Sequence, residues 1–353
     1  MKYATVCSGI EAPSVAWDGL GWEPVWFCEN DKNPSKVLAH HYPSVPNLGD
    51  MTKVYYNETF QTKPIDLICG GTPCQDFSNA GLRAGLEGER GTLTHEFIRI
   101  LATKRPKWFI WENVPGVFSC NAGRDFAAIL GGFTGWNITV PDNGWGNAGI
   151  IPGHPNAYSI AWRVLDAKYF GVPQQRRRVF VVGYSGSWNY PAKVLFEPGG
   201  VSGYSRKVPQ TGQTVAALTA HGVGATGADD NAAMAGHLWP AKVTAPLLAT
   251  YGEKQGLDNQ HIFQGCSQFV MSTGQANAEI LDGIVPTLNC NHEQPIIVDS
   301  LVRRITPVEA ERLQGFPDNY TAIIADTHRY KALGNSMAVP VMRWIGERIN
   351  NVL

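Results

Sequence analysis

Cys74 stands in the stretch GGTPCQDFSNAG (70–81), after a proline and before a glutamine, with glycines on both sides. A thiol on a turn that follows a strand is the setting of a nucleophile. A small buried apolar residue is the plainer reading of the same cysteine. Glu112, in ENVPG (112–116), follows the apolar run WFIW, which sets its carboxyl against a low-dielectric wall. Such burial raises a carboxyl pKa and makes a proton donor usable near neutral pH; a helix-capping acid is the alternative. GVPQQRRRVF (171–180) puts three arginines directly before a strand. Strand alternation directs Arg176 and Arg178 to one face and Arg177 to the other. Two guanidinium groups on one rim suit an anion such as a phosphodiester; a solvated charged turn is the plainer outcome.

Glu29 and Asp50 end further strand units. A carboxylate at such a place accepts hydrogen bonds from a ribose diol, and a second reaches an adenine amino group. Either could instead cap the helix that follows. The first turn, CSGIEA (7–12), is not a G-x-G-x-x-G phosphate loop. Gly9 permits a close backbone approach, while Glu11 would repel a phosphate. A nucleotide-like ligand without phosphates is the better fit.

These residues need elements to hold them. YATVCSG (3–9), EPVWFCEN (23–30), IDLICGG (65–71), KWFIWEN (107–113) and RVFVVGY (178–184) read as buried strands. APSVAWDGLG (12–21), NPSKVLAHHY (33–42) and LTHEFIRILAT (93–103) read as helices, two of them opened by proline. YSIAWRVLDA (158–167) belongs to the same series. Strands alternating with helices predict a largely parallel sheet covered on both faces. Ligands of such sheets bind beyond the carboxyl ends of the strands. Gly9, Glu29, Asp50, Cys74 and Glu112 all fall at or just after such ends, so several should gather on one rim. From about 185 to 300 glycine, alanine, threonine and asparagine dominate and helical periodicity fades. That tract is too long for a structureless loop and reads as a separate β-rich module. Structure resumes with TPVEAERLQGF (306–316), a helix with a Thr-Pro start and Gly315 near its stop, and ends with a helix over 336–353.

Bulk properties narrow the classes. The chain has 353 residues, 44% hydrophobic and 17% charged, with a net charge of −1. Any basic surface for a nucleic acid is therefore local. No apolar run approaches the roughly 18 residues of a membrane span, and the first residues lack a signal-peptide layout. Seven irregularly spaced cysteines form neither a disulfide framework nor a zinc spacing, so a reducing cytoplasm and no metal are expected.

The order of the motifs carries more than any one of them. TVCSGIEA, ENDK, LGDM, PCQDFSNAG, RGTL, ENVPG, QQRRRVF, RRITPVEAERLQGFPDNY and LGNS follow one another along the chain. Together they resemble the DNA (cytosine-5) methyltransferase family over residues 3–184 and 301–350. The resemblance implies a seven-stranded, largely parallel α/β sheet of the S-adenosylmethionine-dependent type with helices on both faces. It also implies a smaller β-rich target-recognition domain. The divisions are then 1–184 for catalysis and cofactor, 185–302 for recognition, and 303–353 for C-terminal motifs whose last helix returns to the catalytic domain.

On these residues, the resemblance makes Cys74 the nucleophile that attacks C6 of a flipped-out cytosine in duplex DNA. Glu112 becomes the acid on its N3/N4 edge, and Arg176 and Arg178 the pair that hold the target nucleotide. Glu29 matches the ribose ligand of S-adenosylmethionine and Asp50 its adenine-amino ligand. Cys7, Ser8, Gly9, Ile10, Asn30, Met51, Pro73, Leu93, Asn335 and Ser336 match other positions of the cofactor site. Gln75, Ser78 and Arg303 match positions that face DNA. The first motif departs from the family's Phe-x-Gly-x-Gly: Cys7 stands where an aromatic wall is usual, and Glu11 replaces a glycine. The stretch GWGNAGIIPGHPN (144–156) is longer than usual and reads as an extra loop near the DNA.

The base must leave the helix because its C5 and C6 are stacked in the duplex. The glycine-rich segment 75–91 fits a lid over it. An RNA cytosine methyltransferase on the same scaffold, and a catalytically silent DNA-binding homologue, are the alternatives. A cysteine hydrolase would need a histidine base, and none has an identifiable place beside Cys74. A cytoplasmic monomer of bacterial or phage origin is expected, acting on double-stranded DNA alone or beside a cognate restriction endonuclease.

Overall fold

The computed structural model describes residues 1–73, 93–197 and 305–352, together with the backbone of five short strands between 269 and 304. Cys74, Gln75 and Ser78 lie outside the described residues, as do the 75–91 segment and most of 185–300. Backbone proximity gathers 1–196 and 268–353 into one unit and 197–267 into another, and the description below concerns the first.

A seven-stranded sheet has the order β2-β1-β3-β4-β8-β6-β5. Its strands are β1 (Lys2–Val6), β2 (Glu23–Cys28), β3 (Leu67–Gly71), β4 (Trp108–Asn113), β5 (Ala148–Ile151), β6 (Ser159–Asp166) and, after the two-residue β7 (Gln174–Gln175) that pairs outside this sheet, β8 (Arg177–Tyr184). The first four in chain order pair in parallel, through β1–β2, β1–β3 and β3–β4. The other half is antiparallel, β8 against β4, β6 against β8 and β5 against β6. The cause lies in the connections. Parallel neighbours need a long crossover, whereas β6 reaches β8 and β5 reaches β6 through short links without an α-helix. The sheet is thus mixed, with its parallel half on the side where Glu29 and Asp50 follow strand units.

Burial explains the apolar runs. Tyr3, Leu67, Cys69, Trp108, Ile110, Phe180 and Val182 pack on one face. Ala4, Val6, Ile68, Phe109, Trp111, Val179 and Val181 pack on the other. Strands buried on both faces lose the in–out alternation of a half-exposed sheet. Helices α4 (Leu93–Lys104) and α5 (Arg124–Thr134) cover the second face through Phe97, Ile100, Phe126, Leu130 and Phe133. The first face is covered by α1 (Ala12–Trp17), α6 (Asn189–Leu195), α7 (Pro307–Gln314) and α9 (Val339–Asn350). Trp17 Nε1 donates to the Met342 carbonyl at 2.8 Å, tying α1 to α9. Gly346 makes this possible, since a Cβ there would lie 2.4 Å from Trp17 Nε1.

Helix ends follow the sequence signals closely at α7. Thr306 and Glu309 form a reciprocal capping box, Pro307 opens the first turn, and Gly315 closes the helix at φ 81°. Of the elements that escape the sequence reading, two show why. The glycine pair 131–132 weakens the helical signal of α5, yet a Cβ at Gly132 would lie 2.6 Å from Ile98 Cδ1, so glycine lets α5 approach α4. The second element corrects an expectation: part of 144–156 is not a loop but β5, the sheet's edge strand, registered from Ala148↔Arg163 to Ile151↔Ile160. Four residues are too few to show a period. Among the described residues, no helix is long and apolar enough to cross a membrane.

Candidate active site

The parallel strands end on one rim, and the turns beyond them carry the candidate residues. After β1 the chain passes through left-handed conformations at Cys7 (φ 49°), Gly9 (φ 57°) and Glu11 (φ 64°) before entering α1. After β2, Glu29 is held on three sides. Its Oε2 accepts from the Gly9 amide at 2.8 Å and its Oε1 from the Asp31 amide at 2.7 Å. Its own amide donates to Asn47 Oδ1 at 2.9 Å, while Asn47 Nδ2 donates to its carbonyl at 2.9 Å. Glu29 therefore does not cap α2 (Lys32–His41); Asp31 does, accepting from the Asn33 amide. Asp50 is both a cap and a cleft residue. Its carboxylate accepts from the Thr52 amide at 3.0 Å at the start of a 3-10 turn, and that bond holds its pKa below the usual carboxylate value.

After β3 the backbone reaches Thr72, two residues before Cys74. Asn113 Nδ2 donates to the Thr72 carbonyl at 2.9 Å, Trp111 Nε1 donates to Thr72 Oγ1 at 2.9 Å, and Thr94 Oγ1 lies 2.6 Å from the same oxygen. Two elements, β4 and α4, thus fix the point from which the Pro73-Cys74 segment departs. Glu112, at the end of β4, is buried and forms an ion pair with Arg178 Nε at 3.1 Å. Its wall is not apolar alone, since a guanidinium closes one side. Gly71 leaves the room: a Cβ there would lie 2.8 Å from Glu112 Oε2. Arg176 is buried, and its Nη2 donates to the carbonyls of Gly334 at 3.1 Å and Ser336 at 2.7 Å. It ties the start of β8 to the end of α8 (Asp326–Asn335). Arg177, between them, is exposed.

Cys7, Gly9, Glu29, Asn30, Asp50, Met51, Pro73, Leu93, Glu112, Arg176, Arg178 and Asn335 line one cleft of about 420 Å³. Ser8 and Ser336 are buried in a cavity of about 40 Å³ that shares Cys7, Gly9, Glu112 and Asn335 with that cleft. Ile10 is not brought there: it is fully buried in the core, and its carbonyl accepts from the Tyr320 hydroxyl at 3.0 Å. Arg303 belongs to β13 (Leu301–Arg304), which pairs antiparallel with β12 (Pro295–Val298) in a separate four-stranded sheet. The sequence reading missed Asn47, which shapes Glu29 from 18 residues away. It also missed Lys331, which lines the cleft and meets Asp31 at 3.0 Å. Both act through long-range contacts that no local pattern announces.

The family model for C-5 cytosine-specific DNA methylases matches residues 1–141 and 153–351. The chain belongs to that family. The unmatched residues 142–152 contain the edge strand β5. Among curated relatives, the chain is 34% identical to a protein of Escherichia phage P1 named DNA N-6-adenine-methyltransferase, over 99% of this chain and 61% of that protein. It is 28% identical to the type II methyltransferase M.HpaII of Haemophilus parainfluenzae, over 97% of this chain and 87% of the relative. A crystal structure of an E. coli prophage protein described as a DNA modification methyltransferase superposes with a TM-score of 0.59, at 20% identity and 99% coverage of both chains. The Dnmt2 methyltransferase of S. pombe gives 0.54 at 14% identity, covering 100% of this chain and 99% of the other. Both likenesses speak to the fold alone.

Proposed function

We propose that this protein transfers a methyl group to C5 of a flipped-out cytosine in a specific duplex DNA site. One observation carries the reading: Glu112, its Arg178 partner and the Thr72-Pro73 approach to Cys74 share a cleft with the carboxylates of Glu29 and Asp50. The cofactor fits on chemical grounds. Glu29 and Asp50 offer acceptors for hydroxyl and amino groups, Gly9 opens the first turn, and Cys7 and Met51 give a sulfur-lined wall. Such a donor set suits a cationic nucleoside without phosphates. When bound, S-adenosylmethionine supplies an electrophilic methyl group on a sulfonium.

The chain's own residues do the rest. The Cys74 thiolate adds to C6, and its electron pair makes C5 an enamine-like nucleophile. Glu112 engages the N3/N4 edge and delivers a proton to N3 as the thiolate adds. Arg178 holds the Glu112 carboxyl in place through Oε1. Once C5 carries the methyl group, the C5 proton passes to water and the N3 proton returns to Glu112, which restores the ring and expels the thiolate. Arg176 braces the cleft wall, and with Arg178 it serves the target nucleotide whatever its neighbours. Gln75, Ser78, Arg303 and the module at 185–302 read the surrounding DNA. Relatives named type II methyltransferases, such as M.HpaII, support a restriction-modification setting, with a cytoplasmic monomer acting beside a cognate endonuclease.

Cys74→Ser should abolish methyl transfer while leaving cofactor binding largely intact, because a hydroxyl is a far weaker nucleophile than a thiolate. DNA carrying 5-fluorocytosine at the target should trap the unaltered enzyme as a covalent adduct, since the C5 substituent can no longer leave as a proton. Near-normal turnover by the serine variant would overturn the mechanism. The name of the phage P1 relative raises a second reading, methylation of the adenine N6 amino group. That chemistry needs no thiolate addition to the ring, so it would survive Cys74→Ser.

A further inference from the structure

Glu11 lies outside the roles assigned so far. It is fully buried at the mouth of α1, in the left-handed conformation at φ 64°, ψ 53°. Its Oε1 accepts from Thr5 Oγ1 on β1, and its Oε2 accepts from Ser14 Oγ on α1 at 2.5 Å. The Tyr3 hydroxyl donates to that Ser14 oxygen at 2.8 Å. Thr5 Oγ1 also meets Ser8 Oγ at 2.7 Å, and Ser8 Oγ accepts from the Cys28 amide at 3.0 Å. The carboxyl is thus the centre of a buried network joining β1, the first turn, α1 and β2. Its two partners are the last strand residue but one and the third residue of the helix, so it spans the whole turn between them.

That turn reaches the cleft through the Gly9 amide, which donates to Glu29 Oε2. A buried network with its members satisfied fixes one geometry, whereas removing a member leaves the others unpaired. Glu11 also lines the small cavity that shares Gly9 and Glu112 with the main cleft.

We propose that Glu11 is a positioning residue of the cofactor site: by gathering Thr5 and Ser14 it holds the turn 7–11 so that the Gly9 amide orients the Glu29 carboxylate. The inference rests on the cofactor reading given above. It assigns to this chain a carboxyl that acts through Glu29 and does not touch the ligand itself. A side chain that spans the turn does work that a bare backbone would leave to chance.

Calorimetric titration of S-adenosylmethionine into the full-length protein tests this. Glu11→Ala should weaken binding by about tenfold, the scale of one charge-assisted hydrogen bond. Glu11→Gln, which keeps an acceptor and can donate to a hydroxyl, should restore affinity to within about threefold. Adding Glu11→Ala to Glu29→Ala should produce no further loss, because the route passes through Glu29. Ser14→Ala serves where Glu11→Ala does not fold, and should weaken binding in the same direction. If Glu11→Ala, or Ser14→Ala in its place, lowers the melting temperature but binds normally, the proposal is wrong and Glu11 is structural only. Multiplying losses in the double variant would overturn it equally. A wild-type protein that does not bind S-adenosylmethionine would overturn the cofactor reading itself, a result distinct from either.

Discussion

Arg178 gives Glu112 a partner that the sequence placed elsewhere, on a phosphodiester. With the pair at 3.1 Å and both side chains largely buried, removing one charge strands the other. Arg178→Ala should therefore cost roughly 3 kcal/mol of stability as well as slow the reaction. Chemical denaturation should show Glu112→Gln relieving part of that loss in the double variant; purely additive losses would deny the pair. Alone, Glu112→Gln should slow single-turnover methylation by about 10²–10⁴-fold with less effect on DNA binding, and an unchanged rate would reduce it to a structural acid. Glu11 supplies a pH signature. Burial pushes its carboxyl up to about 7 from an ordinary 4.5, against the hydrogen bonds of Ser14 and Thr5, with Glu29 a minor contributor in the same direction. Between those values the folded state keeps a proton that the unfolded chain has released. Its contribution is full below about 4.5 and falls as pH rises through 7. Melting curves should show Glu11→Gln gaining on the wild type from pH 5 to pH 8; a gap that does not change with pH would contradict this. At this scale strand-end position, a local property, made Gly9, Glu29, Asp50 and Glu112 legible as neighbours in one cleft. It did not separate caps from ligands: Asp50 is a cap in the cleft, Glu29 is no cap, and Ile10 turns into the core.

The elements were legible where burial is two-sided and continuous, as in β1, β3, β4 and β8, or where capping chemistry is explicit, as in α7. They were obscure where tertiary contact overrides local preference. Gly132 costs α5 helix propensity and repays it by admitting Ile98. The edge strand β5 is held by side chains outside its own span. Trp145 Nε1 donates to the Gly123 carbonyl at 2.8 Å, and its ring meets Phe126 and Trp162 edge-on. Trp162 Nε1 donates back to the Gly146 carbonyl at 3.1 Å. Trp145→Ala should thus loosen the edge strand and lower stability by about 2 kcal/mol. Hydrogen exchange should show faster amides confined to 144–152. Uniform acceleration through β6 and β8 would mean that the edge strand is integral to the stability of the sheet.

For the whole molecule, family membership accounts for the catalytic half and leaves recognition to be assigned. Chemistry on a flipped base is blind to the neighbouring pairs unless another surface reads them in the groove. Replacing residues 185–302 with the equivalent segment of a relative of different specificity should therefore transfer the target sequence. A chimera that stays active on the original site would place recognition in 75–91 or 144–156. The central claim concerns the atom that receives the methyl group, and the relatives' names divide on it, a cytosine family on one side and an N-6-adenine name on the other. The direct measurement is mass-spectrometric nucleoside analysis of DNA from cells expressing the wild type or Cys74→Ser, in a host with no methylation of its own. The account predicts 5-methylcytosine with the wild type and none with the serine variant. N6-methyladenine instead, or 5-methylcytosine persisting without the thiol, would contradict it.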